Sequence, residues 1–344
     1  MKKFLLPEGG NFYKANLHCH TNLSDGTLSP QEVKELYLSL GYSVVAYTDH
    51  DIFLPHPELC DDRFIALNGF EIESNEPSKP EGSVFDQLKS CHFCAVALDP
   101  ENDIQPCWHR KHYLFANAAN HRDEVKFDES EADYVRYHTG ESRSDHMQKC
   151  RDAGFFVTYN HPTWSIEDYT DYMNFHGMHA MEMFNGSCNA AGFEDYNPRV
   201  YDDMLRGGER IYCIGADDNH NSKRWQGTRR ADSGWAWTMI KADKLEYRTI
   251  TDALLAGSFY ASEGPEIHEL WYEDGKVHVK CSDADRITYI SGCRHRSTVL
   301  AQEDEYVNEA VFDVKDIDIY FRITVTDKRG RHACTNAYFL DELN

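Results

Sequence analysis

NFYKANLHCH, residues 11–20, carries a strand-forming run into the pair His18 and His20. Alternate side chains of a strand point to opposite faces, so the two imidazoles share one side and Cys19 takes the other. Two imidazoles aimed at one point are a weak metal signal by themselves, because polar residues often end strands. The signal gains weight from repetition along the chain.

Short apolar, β-rich runs recur at residues 12–18, 43–48, 63–72, 91–98, 155–160, 179–185 and 210–216, with helix-like segments between several of them. That pattern predicts βα units around a parallel sheet. Between the first two runs, Ser29 reads as an N-cap, Pro30 as the first helical residue, Glu32 as the capping-box acid and Gly41 as the stop. Residues 144–153 and 198–206 read as later helices. Residues 99–142 are polar and far longer than a usual connection, so they form an insertion, either a lid or a surface excursion. From Glu266 onward the chain turns to short alternating runs at 286–291, 309–314, 319–327 and 332–339, after a hairpin about Asp274-Gly275. The expected organisation is a unit over 1–265, with the insertion at about 99–142, and a small all-β sandwich-like domain over 266–344.

At 344 residues a large domain plus a smaller one is the natural division. A formal charge of -23 sets the surface against polyanions, which disfavours long nucleic acid and suits a small phosphorylated substrate. No apolar stretch is long enough to span a bilayer, and the run Phe4-Leu5-Leu6 stops at Pro7, so no signal peptide is read and a cytoplasmic location without membrane attachment is expected. Eleven scattered cysteines fit reduced thiols, and Cys91 and Cys94 have no second CxxC to complete a thiolate site. Eighteen histidines stand out.

Those histidines and several acids gather at predicted strand ends. Ser24-Asp25-Gly26 is a tight turn bearing a carboxylate, and the second strand ends in Thr48-Asp49-His50-Asp51. Glu71 lies in an apolar strand, where a buried acid demands a cation or an arginine. Then follow His92, Asn160-His161-Pro162 and Asp217-Asp218-Asn219-His220. In parallel α/β barrels that rim is where catalytic groups sit. Asp217 competes with Asp218, but only Asp218 keeps same-face spacing with His220. His109, His112 and His138 are alternatives to His92. His56, His146, His176, His179, His268 and His278 fit no motif and read as packing or surface residues.

The order HxH, SDG, TDH, Glu, His, His-Pro and DxH resembles the polymerase and histidinol phosphatase (PHP) family over residues 12–265. The resemblance implies a distorted, TIM-like (β/α)7 barrel holding two to three divalent ions. It places His18, His20, Glu71 and Asp218 on one ion, a bridging Glu71 with His92 and His161 on a second, and Asp25, His50 and His220 on a third. Glu71, Asp25 and His220 take the catalytic roles. Imidazole and carboxylate donors without thiolate suit Zn, Mn or Fe. The implied activity is hydrolysis of a small phosphomonoester or nucleotide by metal-activated hydroxide. Arg143, Asn185, Lys223 and Arg224 are candidate phosphate binders. A nuclease and a non-catalytic metal-holding module are the alternatives.

Overall fold

The computed structural model describes residues 2–77, 89–194, 196–223, 227–228 and 230–343. The chain opens with the short strand β1 (Lys3–Phe4), and β2 (Asn11–Asn16) then leads into the histidine pair. Helix α1 (Pro30–Ser39) follows, with Ser29 and Glu32 forming a reciprocal capping box, Pro30 in the first turn and Gly41 beyond the end at φ 80°. β3 (Val44–Tyr47) and β4 (Ile65–Asn75) lie parallel to β2, in the order β2-β3-β4. Every residue of β3 is buried, as expected of a strand covered on both faces. α1 covers one face, where Val33 and Tyr37 pack with Cys19, Val45 and Tyr47.

The sheet continues through β5 (Ser90–Ala97), β6 (Phe155–Tyr159), β7 (Ala180–Asn185) and β8 (Tyr212–Ala216). Among these come α2 (Gly140–Asp152), α3 (Tyr169–Tyr172), α4 (Gly186–Ala191) and α5 (Pro198–Gly207). β6, β7 and β8 run parallel, but β5 is antiparallel to both β4 and β6. The all-parallel expectation fails here because Asn75 and Ser90 are direct partners: β4 and β5 form a ribbon, which needs no crossover helix. Reversal of β5 brings His92, near its start, to the rim where the parallel strands end.

Sequence patterning missed β9 (Trp237–Ala242), α6 (Tyr247–Leu255) and β10 (Phe259–Ser262). β9 pairs antiparallel with the free edge of β2, and β10 with β9. This addition explains a second difference: the described strands form no closed barrel. The edge of β2 is taken by β9, so the ladder runs outward. β8 and the β2 segment meet beyond their ends through the single bridge Cys19–Asn219, where His20 N donates to Asn219 O at 3.0 Å and Asp218 N to His18 O at 2.9 Å. Close approach of β8 to β9 also needs Gly215, since a Cβ there would stand 2.7 Å from Trp237 O.

Beyond β10 come β11 (Ile267–Glu273), β12 (Lys276–Ala284), β13 (Arg286–Ser291), β14 (Arg296–Leu300), β15 (Val307–Asp313), β16 (Tyr320–Thr326), β17 (His332–Thr335) and β18 (Tyr338–Phe339). β17 pairs with β10, so β13, β14, β16, β17 and β18 extend the large sheet. β1, β11, β12 and β15 form a second, four-stranded sheet. The two sheets share an apolar core that includes Leu6, Leu270, Val277, Tyr289, Phe312 and Ile323. The ladder therefore crosses residue 265, and the chain's start belongs to the sheet of β11. No described helix is long and apolar enough to cross a membrane.

Candidate metal centre

Glu71 is the hub of the site. Its carboxylate is 1% exposed and lies within 3.3 Å of five imidazoles: His18 Nε2 (3.1 Å), His92 Nδ1 (3.1 Å), His20 Nε2, His50 Nδ1 and His161 Nε2. Asp218 Oδ1 stands 3.0 Å from His20 Nε2 and 3.2 Å from His18 Nε2. Asp25 Oδ2 lies 3.2 Å from His220 Nε2 and 3.7 Å from His50 Nε2. The nine residues singled out from sequence are thus brought into one cluster, buried except for the partly exposed Asp25 and His220.

Local structure puts each group there. His18 and His20 extend β2 on one face while Cys19 packs under α1, as strand alternation requires. Asp25 is carried by a turn whose Gly26 admits no side chain, since a Cβ would meet His20 C and O at 2.7 Å. Asp49 secures that turn by accepting from Ser24 Oγ at 2.6 Å and Thr21 N at 2.8 Å. His161 and Asp218 both hold positive φ, 24° and 51°. Such conformations are costly for residues with a Cβ and persist where neighbours enforce them. Glu182 Oε2 accepts His161 N at 2.8 Å, while Asp218 N donates to His18 O.

Asp217, the competitor of Asp218, faces away: its carboxylate accepts from the backbone N–H groups of Gly234, Trp235 and Ala236 and from Tyr37 Oη. His109 and His112 lie against each other in the insertion, their rings tilted by 58°, and His138 packs by Ser74 and Arg143, so none of them joins the cluster. His146 is a buried packing residue against Phe93 and Tyr134.

Burial presses these imidazoles toward the neutral form, but around His18 the carboxylates of Asp218, Glu71 and Glu182 outweigh it and hold the ring well above its ordinary value. His20 is raised in the same way, against burial, by Asp218 and Glu71. At His50 burial wins and pushes it down to about 3. Burial opposes ionisation of Glu71 as well, yet His18, His92 and His50 hold it well below the usual carboxylate range.

Three donor sets among the described residues have ligand atoms close enough to share an ion: His18, His20, Glu71 and Asp218; His20, Asp25, His50 and His220; and His50, Glu71 and His92. The first reproduces the expected grouping. In the other two, His20 and His50 join because their rings lie between the Glu71 and Asp25 carboxylates, 4.5 Å apart. His161 reaches Glu71 but enters none of the three sets. The fit to cations is direct: Nδ1 of His20 and of His50 are buried without a hydrogen-bond partner, and His18 Nε2 and His20 Nε2 point at each other across 3.1 Å. Lone pairs so arranged match transition-metal donors.

Two supporting residues escaped sequence reasoning. Glu182 Oε1 lies 2.7 Å from His18 Nδ1, which donates to it and leaves Nε2 for the cluster. Asn160 Nδ2 donates to Glu71 Oε1 at 3.0 Å. Glu182, between Met181 and Met183 in β7, carries the same signal as Glu71, an acid in an apolar strand.

The cluster opens into a cavity of about 650 Å³, whose walls include Glu73, Lys89, Phe115 and Trp164. Of the candidate phosphate binders, Asn185 lies beside the cluster, donating to Glu182 Oε2 at 2.8 Å and Asp218 Oδ2 at 3.3 Å. Arg143 does not line the cavity: it is 3% exposed, over the Phe175 ring and 3.7 Å from Glu167. Lys223 is exposed and is not among the described lining residues, and Arg224 lies outside the described residues.

No family model and no curated protein sequence matches the chain. Solved structures similar to it include the following three. A two-domain protein from Bacteroides vulgatus, described as containing a predicted PHP-like metal-dependent phosphoesterase, matches with TM-score 0.45 and 14% identity over 98% of each chain. A protein from Bifidobacterium adolescentis, described as a candidate metal-dependent phosphoesterase, gives TM-score 0.33 and 17% identity over 62% of this chain and 89% of the other. An amidohydrolase from Chromobacterium violaceum, with bound sulfate and no metal, gives 0.36 and 17% over 60% and 87%. Likeness at this level assigns no activity to the chain.

Proposed function

We propose that the chain is a metal-dependent phosphoesterase of the PHP type, acting on a small phosphomonoester or nucleotide. The observation that carries the reading is the convergence of five imidazoles on the Glu71 carboxylate, flanked by Asp218 and Asp25, at the floor of an open cavity. On this reading residues 1–265 form the hydrolytic unit, a distorted relative of the seven-unit barrel drawn together at Cys19–Asn219. Residues 266–344 are its β appendage.

His18, His20, Glu71 and Asp218 would hold one divalent ion, Glu71 with His92 and His161 a second, and Asp25, His50 and His220 a third, with Zn, Mn or Fe suiting the donors. Such ions supply Lewis acidity, acidifying water and offsetting charge on phosphoryl oxygens. The chain's own contribution is orientation. Glu182 keeps the His18 proton on Nδ1, the Asp218 carbonyl accepts from His220 Nδ1 at 2.9 Å, and Asn160 steadies Glu71. Eleven free cysteines, most of them buried, fit a reducing cytoplasm.

The test is turnover of p-nitrophenyl phosphate, a nucleoside monophosphate and single-stranded DNA by protein stripped of metal and reloaded singly with Zn, Mn, Fe or Mg. Metal-dependent release of phosphate from the small esters supports the reading. Cleavage of DNA alone transfers it to a nuclease, and bound metal without any turnover to a binding module.

A further inference from the structure

We propose that Trp164 and Phe115 select the alcohol side of the substrate, so that favoured esters carry a flat aromatic group; this rests on the phosphoesterase reading above. Large apolar side chains left open around a polar centre mark a binding surface. Trp164 is 40% and Phe115 46% exposed, and both line the cavity. The Trp164 ring lies 5.0 Å from His92 and 5.0 Å from His161, presenting an edge at interplanar angles of 61° and 79°. Phe115 lies 5.4 Å from His50, near perpendicular. The rings therefore stand beside different parts of the histidine cluster.

Both positions are fixed by backbone contacts rather than by burial of the rings. Trp164 sits in the turn after β6, where Ser165 N donates to His161 O at 3.1 Å and Glu167 N to Pro162 O at 3.1 Å. Phe115 caps the 3-10 helix Ala116–Glu124 of the insertion, and two residues on Asn117 N donates to Ser24 O at 3.0 Å, in the turn that carries Asp25. Rings held in place before binding add affinity with little ordering cost.

Charge points the same way. Among the described residues Lys89 is the single lysine or arginine lining the cavity, and Asp168 and Asp171 already engage its ammonium at 3.0 and 2.6 Å. Beyond the cluster the described walls thus offer the two rings beside the polar groups of Glu73, Asn75, Ser90, Ser165 and Ser187, a lining with no uncommitted cation and so suited to an uncharged planar leaving group.

The experiment compares benzyl phosphate with cyclohexylmethyl phosphate, matched in size and close in leaving-group basicity, on the metal-loaded full chain. Calorimetry of the corresponding phosphonates supplies a readout independent of turnover. The expected preference for the aromatic member is roughly 10-fold in kcat/KM and in phosphonate affinity. It should fall toward one in Trp164→Leu and in Phe115→Leu and be kept in Trp164→Phe, which guards against a misfolded variant. Equal use of the two esters, or a preference untouched by both leucine variants, overturns this inference and leaves the phosphoesterase reading standing. Failure to hydrolyse either ester while p-nitrophenyl phosphate or a nucleoside monophosphate is turned over overturns this inference alone, and failure on all four sinks both.

Discussion

His18 Nδ1 and Glu182 Oε1 lie 2.7 Å apart, and neither side chain is exposed. The carboxylate fixes the ring's tautomer and its aim, and partners of this kind are worth about 10- to 100-fold in metal affinity. Glu182→Gln should therefore weaken metal binding by about that factor. Competition titration with a chromogenic chelator measures it; unchanged affinity would remove Glu182 from the site.

Arg136 ties the insertion to the rim. Its Nη1 donates to Asp51 Oδ1, next to His50, and to Glu73 O at 2.8 Å, with the two side chains 7% and 0% exposed. Removing one partner of a buried pair strands the other charge, at about 3–5 kcal/mol. Arg136→Met should show that loss in urea unfolding, and adding Asp51→Leu should recover part of it. A stable single variant would mean that the pair is not needed.

Glu167 gives a pH signature away from the cluster. Burial is the main cause that pushes its carboxyl up to about 7, against the lowering effect of the hydrogen bond that Tyr159 Oη donates to it at 2.6 Å. A folded pKa above the unfolded one favours folding below about 4.5, and that advantage is lost as pH rises through 7. The stability of the protein relative to Glu167→Gln should fall between pH 4.5 and 7 by on the order of 2 kcal/mol, read from urea midpoints. A flat difference across that window would contradict the assignment.

Arg143 supports the fold from outside the cavity. Arg143→Met should lower the melting temperature and leave KM for a phosphomonoester within about two-fold. A ten-fold rise in KM would restore it as a phosphate contact.

Much of the site was legible because its chemistry is unusual for its surroundings. Imidazoles and acids at strand ends announce themselves, and the spacing of two from His220 by itself separates Asp218 from Asp217. The α1 cap was equally readable, since Ser29, Pro30, Glu32 and Gly41 each have one local meaning. What eluded sequence was set by distant partners. The direction of β5 depends on its pairing with Asn75, β9 takes its place from the open edge of β2, and Arg143 finds Glu167 and Phe175 only once α2 has docked. Glu182 lay within reach of the reasoning applied to Glu71, but no motif drew attention to it.

The central claim is most directly tested by mass-spectrometric metal analysis of the protein and of Glu71→Gln, each loaded with Zn, Mn or Fe and then freed of unbound ions. The intact chain should retain at least two equivalents of one metal and the variant should lose most of them. Equal metal in both, or none in the intact chain, would contradict a metal centre built around Glu71.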